Sequence, residues 1–453
     1  MRGFDGFSLK RRLQDRPLRA QQGQVLVLGL LLAALLGLAW SRVFATGQVL
    51  AAQTRLVHGL DAAAYSGALV QARTLNFLSY LNRARMAHQV AMAHLVTLGS
   101  WAQYAGMESR RLAQGNPPAY LIGMLFGPDH GQAYLAALRA VGLDLEARAE
   151  GTLGRAYAAH ERFVHDTAAG LDRVLMRDLP QVRLAAIRAV LAAHYPERPA
   201  EDLQPVVTDD HWPGLLRRQA ADAPLFDWTR QLASLYAFLD PRDQTARNPW
   251  PVSARCPHLR HELRRRGGTA LDAGGRWQSG DTQSFHAVRS NRWIGCYYRE
   301  YAMGWAWMPA GSGQAMPDRH VDDPPDNFAD QDFWRWVREA TSWELVGGQD
   351  NPLANSYAVR DRLVWPSRGL GSYLDIAPGM GPEAASGFVV RMDLPDASGL
   401  RIRARSAAES LFSRPGRRTD GLDETPSLFH PYWHARLATG LPALWDTADG
   451  TGD

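Results

Sequence analysis

The chain has 453 residues, of which 46% are hydrophobic and 21% charged, with two cysteines and a net charge of +4. That charge belongs to the first 24 residues, which hold six basic and two acidic side chains; the rest holds 44 of each sign. The basic balance therefore reports topology and argues against a nucleic-acid surface, which needs a basic patch on the folded body.

Residues 1–24 read as a basic tail. The run VLVLGLLLAALLGLAW from Val25 to Trp40 follows, without charge or proline, and apolar character continues to Ala45. A bilayer core about 30 Å thick needs roughly 20 helical residues, so 25–45 is predicted to span a membrane. Cationic flanks stay on the cytoplasmic side, which puts the N-terminus inside and the body outside. In a bacterium this is the inner membrane with a periplasmic body. A cleaved signal is the competing reading, but the run is long for that role, and SRVFATGQVLAAQTRL after it reads as more helix.

Residues 46–240 are predicted helical. No proline occurs between Gly47 and Ala113, and apolar residues recur at helical spacing. Unbroken from the membrane, this helix would be about 135 Å long, and Gly59, Gly67 and Gly99 are expected to bend or break it. Around Asp61 the residues are small. Ala63 and Gly67 lie four apart, as do Ala64 and Ala68. This spacing lets a second helix approach closely, either a partner's or one from later in this chain. Asn116-Pro117-Pro118 ends the section. Residues 131–150, 153–175 and 182–194 read as further helices, and 215–239 as another, broken at Pro224.

Residues 241–453 change character. Strand-like runs appear at 284–288, 293–307, 387–394 and 400–405, with a turn at 395–399 that makes 387–405 a candidate hairpin. VDDPPDN (321–327) reads as a loop and 333–341 as a short helix. Trp293, Trp305, Trp307, Trp334, Trp336 and Trp343 are expected to form a core, with a carbohydrate-binding face as the alternative. The expected class is α+β: a membrane helix continuing into a helical region, then a β-containing, Trp-rich domain.

Cys256 and Cys296 lie outside the membrane on this topology. An oxidising compartment and an even count favour one disulfide closing a loop of about 40 residues. The alternative is metal, since CPHLRH offers Cys256, His258 and His261. RHELRRR (260–266) is a basic cluster read as a solvated helix face.

Catalytic motifs are not evident. There is no Gly-x-Ser-x-Gly elbow, no His-Glu-x-x-His and no phosphate loop, and the single lysine, Lys10, precedes the span. His88 and His94 read as surface or packed histidines. Neither a cofactor nor a resident metal is expected.

Two stretches carry a resemblance. Gln22-Gly23-Gln24 before the apolar run, then LDAAAYSGAL (60–69) on the helix, resembles TadE/TadG-like proteins of the Tad (tight adherence, Flp) pilus-assembly system. The Asp-Ala-Ala-Ala-x-x-Gly-Ala element of that family falls on Asp61, Ala62, Ala63, Ala64, Gly67 and Ala68. The stretch SAAESLF…PSLFHPYWHARL (406–437) is similar to the tail of exported proteins found with these systems. Leu28 stands where type IV pilins carry Glu. The resemblance implies a single-pass, noncatalytic inner-membrane component whose periplasmic body binds other pilus-assembly or secretion proteins, with self-association through the N-terminal helix. The other reading is a membrane-anchored periplasmic enzyme or carbohydrate-binding module at the cell wall.

Overall fold

A computed structural model of the chain describes residues 22–113, 119–140, 142–221, 223–293, 295–309, 365–377, 385–395, 399, 401–416, 418–422 and 424–438. The basic tail before residue 22, the 321–327 loop and the 333–341 helix lie outside the described residues.

The organising element is α1 (Gln22–Ala113), one uninterrupted helix of 92 residues, about 138 Å long. The breaks expected at its glycines do not occur. These glycines are points of contact instead. A Cβ on Gly67 would sit 3.0 Å from Ile187 and Phe388, and one on Gly99 would sit 2.7 Å from Trp365. From Val25 to Val43 the apolar side chains are exposed all round the helix. This end of α1 is long and apolar enough to cross a membrane.

The helices that follow are short. They are α2 (Ala119–Phe126), α3 (Pro128–Ala136), a 3-10 turn at Ala137–Ala140, and α4 (Leu143–Glu146). The single helix expected over 131–150 is therefore broken, with Gly142 at φ 87° between the pieces. Next come α5 (Thr152–Arg162), a π turn (Phe163–Thr167) and α6 (Ala168–His194), which carries Pro180 inside it. These join the two expected helices at 153–175 and 182–194 into one run.

Past α6 lie β1 (Val206–Thr208), α7 (Trp212–Leu215), β2 (Leu216–Gln219) and α8 (Ala223–Ala233). The helix expected over 215–239 is thus partly strand, because Leu216–Gln219 pairs with a strand from the far end of the chain. The remaining strands are β3 (Arg242–Asp243), β4 (Ala246–Arg247), β5 (Glu262–Leu271), β6 (Trp277–Asn291), β7 (Gly295–Pro309), β8 (Tyr373–Ile376), β9 (Ala385–Pro395), β10 (Arg401–Phe412) and β11 (Trp433–Leu437). Arg264, Arg265 and Arg266 lie on strand β5, not on a helix face.

Three antiparallel assemblies lean on α1. The first has the order β1-β9-β10-β11, the second pairs β2 with β8, and the third runs β3-β5-β6-β7 with β4 also on β5. The hairpin read at 387–405 is β9–β10, in register from Arg401 opposite Pro395 to Leu411 opposite Ala385. Ile402 is buried while Arg401, Arg403 and Arg405 face solvent, as the alternating sequence requires. The boundary expected at 240/241 does not separate two bodies. β1 and β2 precede it and pair with β9 and β8, which follow it.

The core runs along α1. Its lower part packs Leu56, Leu60, Ala63, Ala64 and Ala68 against Ile187 and Leu191 of α6 and Phe388, Val390 and Met392 of β9. Higher up, Leu75 and Leu78 meet Trp212, Phe412 and Trp433, and Met92 and Val96 meet Trp277, Met308 and Trp365. The tryptophan core is therefore Trp212, Trp277, Trp365 and Trp433. Of the six proposed from sequence, Trp293 is 87% exposed. The side chains of the other five lie outside the described residues.

A candidate partner-binding groove and the polar face behind it

The predicted stripe folds inward. Ala63, Ala64 and Ala68 are fully buried against α6 and the β9–β10 hairpin, and Gly67 touches both. Asp61 Oδ1 accepts a hydrogen bond from Ser406 Oγ at 2.6 Å. Ser410 Oγ donates to the Ala68 carbonyl at 2.9 Å. The two stretches that carry the family resemblance, 60–69 and 406–437, are thus packed on each other. Of the two uses open to the stripe, the geometry supplies the intramolecular one.

Cys256 and Cys296 form a disulfide. It ties the loop before β5 to the start of strand β7. The neighbouring histidines take other roles: His261 Nδ1 accepts the Val288 backbone N–H at 2.8 Å, and His258 is exposed. Among the described residues no group of three metal-ligating side chains comes together.

A polar face on α1 is not announced by its periodicity. Gln71, Ser79, Asn82, Arg85, Gln89, Thr97, Ser100 and Gln103 are all buried. Several of them donate to main-chain carbonyls of the strands and loops that wrap the helix. Gln71 Nε2 reaches Ser386 O at 3.0 Å, and Asn82 Nδ2 reaches both Leu374 O (2.8 Å) and Leu428 O (2.9 Å). Asn76 donates to Trp433 O and accepts from Trp433 N. Buried carbonyls without partners are costly, so these side chains stand in for absent strand neighbours.

Charges are buried here too, and each has a counterpart. Arg85 Nη2 lies 2.6 Å from Asp172 Oδ2, both almost inaccessible, with Arg218 at 3.4 Å from the same oxygen. Arg183 pairs with Asp210 and lies over the Phe388 ring. Asp281 accepts from Ser100 Oγ and Arg242, and burial raises its pKa despite the arginine. Glu108 is raised by burial in the same way. Burial accounts for both shifts, against the pull of the neighbouring arginines.

On the opposite side of α1 lies a groove of about 1340 Å³. Tyr80, Ala84, Ala87, Ala91 and His94 fall on one helix face and form its floor. Trp228 and Leu232 of α8, with Tyr236 and Phe238 beyond it, make one wall, and residues 424–430 make the other. Tyr80 is 59% exposed and Trp228 39%. His94 stacks on Phe238 at 4.7 Å. Two carboxylates reach the groove, and both serve the fold. Glu424 meets Arg414, Arg418 and His430 at 2.9–3.3 Å. Asp375 Oδ1 accepts the backbone N–H of Leu428 at 2.7 Å and of Ile376 at 2.9 Å. Arg83, at the rim, has no ion-pair partner among the described residues. The helical spacing of Tyr80, Ala84, Ala87 and Ala91 was readable; that α8 would rise beside it was not.

The chain matches no family model, no curated protein and no solved structure. The arrangement therefore stands on its own geometry: a membrane-type helix, a body folded round its continuation, and one large aromatic groove.

Proposed function

We propose that this protein is a single-pass, noncatalytic inner-membrane component of a Tad/Flp-type pilus-assembly or secretion apparatus, with its N-terminus cytoplasmic and its periplasmic body engaging other apparatus proteins. The observation that carries the reading is the continuity of α1. One 92-residue helix is both the apolar segment and the axis of the folded body, so the body is held at a fixed attitude to the bilayer. That suits a part of an assembly better than a freely tethered enzyme. The resemblance at 60–69 and 406–437 gives the reading its family, and the open groove supplies a surface for a partner. Large aromatic side chains left exposed in a cleft are what interfaces bury.

The test is photocrosslinking from position 80 or 228 in native membranes, with Arg173 on α6 as a control site. The reading expects one discrete crosslinked partner from the groove positions, encoded with other pilus or secretion components. Trp228→Ala should leave abundance unchanged and lose that crosslink. No groove-specific crosslink, or a C-terminal reporter active only in the cytoplasm, would sink it.

A second reading rests on the same groove. Aromatic walls beside Asp375 and Glu424 fit a carbohydrate chain, which makes the protein an anchored cell-wall binding module. Both carboxylates are already occupied as acceptors, which favours binding over hydrolysis. Retention on cell-wall polysaccharide that Trp228→Ala abolishes would favour this reading over the first.

A further inference from the structure

The charge of the body is unevenly placed. Residues 247–300 hold ten arginines against four carboxylates, Glu262, Asp272, Asp281 and Glu300, in a body whose charges balance only overall. Glu262 is buried and already meets Arg247 and Arg264. Asp281 is taken by Arg242. Asp272 is taken by Arg276. Arg255, Arg260 and Arg292 have no carboxylate partner among the described residues. All three sit within four residues of a disulfide cysteine: Arg255 and Arg260 beside Cys256, and Arg292 at the β6–β7 turn, whose strand β7 opens on Cys296. The bond pins them into one corner.

Two tryptophans stand with them. Trp293 is the tip of the hairpin, 87% exposed, with the Arg292 guanidinium 5.8 Å from its ring centre. Trp250 is 46% exposed, and its carbonyl accepts from Asn248, which in turn is bonded to His261 beside the corner. The corner is convex, because Trp293 projects from the end of two 15-residue strands. It also lies at the far end of the molecule. Leu112, at the last turn of α1, shares a core with Leu263 of β5 and is packed by Phe285 of β6. The tip is a further six residues or more along β6. The last turn of α1 is about 100 Å along the helix from Ala45.

We infer that this corner is a docking surface for a second, anionic lipid bilayer, on the side of the molecule opposite the membrane that α1 enters. Arginines attract anionic headgroups, and an exposed indole prefers the boundary between headgroup and acyl chain. A protruding tip meets a flat surface readily, whereas a folded acidic partner would need a complementary hollow. The disulfide holds Arg255 and Arg292 on one side, so their charges act together. The inference rests on the proposal that α1 spans one membrane, but not on membership of any apparatus.

The test is flotation of the full chain, reconstituted in nanodiscs of neutral phosphatidylcholine, with vesicles containing one third phosphatidylglycerol. Binding should appear at 50 mM salt and weaken strongly at 500 mM. Each arginine near the surface is worth about fivefold, so Arg255→Gln, Arg260→Gln and Arg292→Gln together should weaken binding about a hundredfold. Trp293→Ser, which leaves charge untouched, should weaken it on its own. Retention of the Cys256–Cys296 peptide pair in non-reducing mass spectrometry checks that the corner is intact. Equal binding to neutral vesicles, no binding by the wild-type chain, or full binding by the triple variant would each overturn the inference. So would an acidic protein captured by the wild-type chain and lost by the triple variant while vesicles stay unbound. Loss of the groove crosslinks alone would leave this measurement untouched.

Discussion

Two stretches of the same helix differ in what they bury. From Leu56 to Ala68, α1 presents small and apolar side chains to α6 and the β9–β10 hairpin. From Gln71 to Glu108 its buried face mixes apolar residues such as Leu75, Leu78, Met92 and Val96 with polar ones, among them Asn82, Arg85, Gln89, Ser100 and Gln103. The difference follows from what each stretch meets. The lower part lies against regular elements whose backbone groups are already paired, so shape dominates there, and its polar contacts are to the side-chain hydroxyls of Ser406 and Ser410. The upper part meets loops and strand ends, such as residues 369, 374 and 428, whose carbonyls need donors. A helix that serves as the axis of a body must do both, and its sequence periodicity blurs accordingly.

The largest expected effect is in the upper stretch. Asp172 is the shared partner of Arg85 and Arg218. Asp172→Ala would leave Arg85 buried and uncompensated, at a cost of about 3–5 kcal/mol. The variant should be depleted from membranes and cleaved early in limited proteolysis. Normal abundance and resistance would show that the polar face contributes little to stability.

In the lower stretch, Gly67→Leu should cost about 1–3 kcal/mol by overpacking against Ile187 and Phe388. The mutant should lose abundance in the membrane together with any partner. A variant that stays abundant and loses only a partner would mean that the stripe is an interface and not internal packing.

The smallest effect is expected where α5 meets α1. His88 Nδ1 and His160 Nδ1 lie 2.7 Å apart, and His88 stacks on Phe163 in the π turn. At that distance one nitrogen donates and the other accepts, so the contact requires at least one neutral ring. Burial lowers the pKa of both, and their mutual repulsion lowers His88 further. Nearby charged groups are held elsewhere: Arg85 with Asp172, Glu161 with His165 and Arg368, and Asp166 with Arg368. Above the ordinary histidine pKa of about 6.5 both states are neutral and stability is level. As pH falls below it, the unfolded chain takes up protons that the folded pair resists, so stability is lost on acidification. The unfolding midpoint should drop between pH 7.5 and pH 5, and His160→Asn should flatten that slope. An unchanged slope would remove the pair from the account.

Legibility in the sequence varied with the kind of signal. The apolar run at 25–45 and the alternation at Arg401–Arg405 are local patterns, and each fixed its element. The Cys256–Cys296 pairing followed from topology and an even count. Gly59, Gly67 and Gly99 misled, because a glycine that breaks an isolated helix also lets a packed one be approached. Leu216–Gln219 misled because its strand character comes from pairing with Tyr373–Ile376, more than 150 residues away. Residue type alone points Trp293 to the core, yet it stands exposed at the tip of a hairpin.

A membrane-type helix from residue 25, its continuation far beyond the apolar run, and the strands that follow can all be read from the amino-acid order. These are near-neighbour properties, written in periodicity and composition. Packing settles the rest: α1 stays whole, its small residues face inward, its buried polar side chains close the hydrogen bonds of distant loops, and α8 raises a groove beside Tyr80. Those outcomes depend on contacts between residues up to about 350 positions apart, such as Asn76 with Trp433. No local pattern carries them, because the free energy that selects them is gained only when the distant partner arrives.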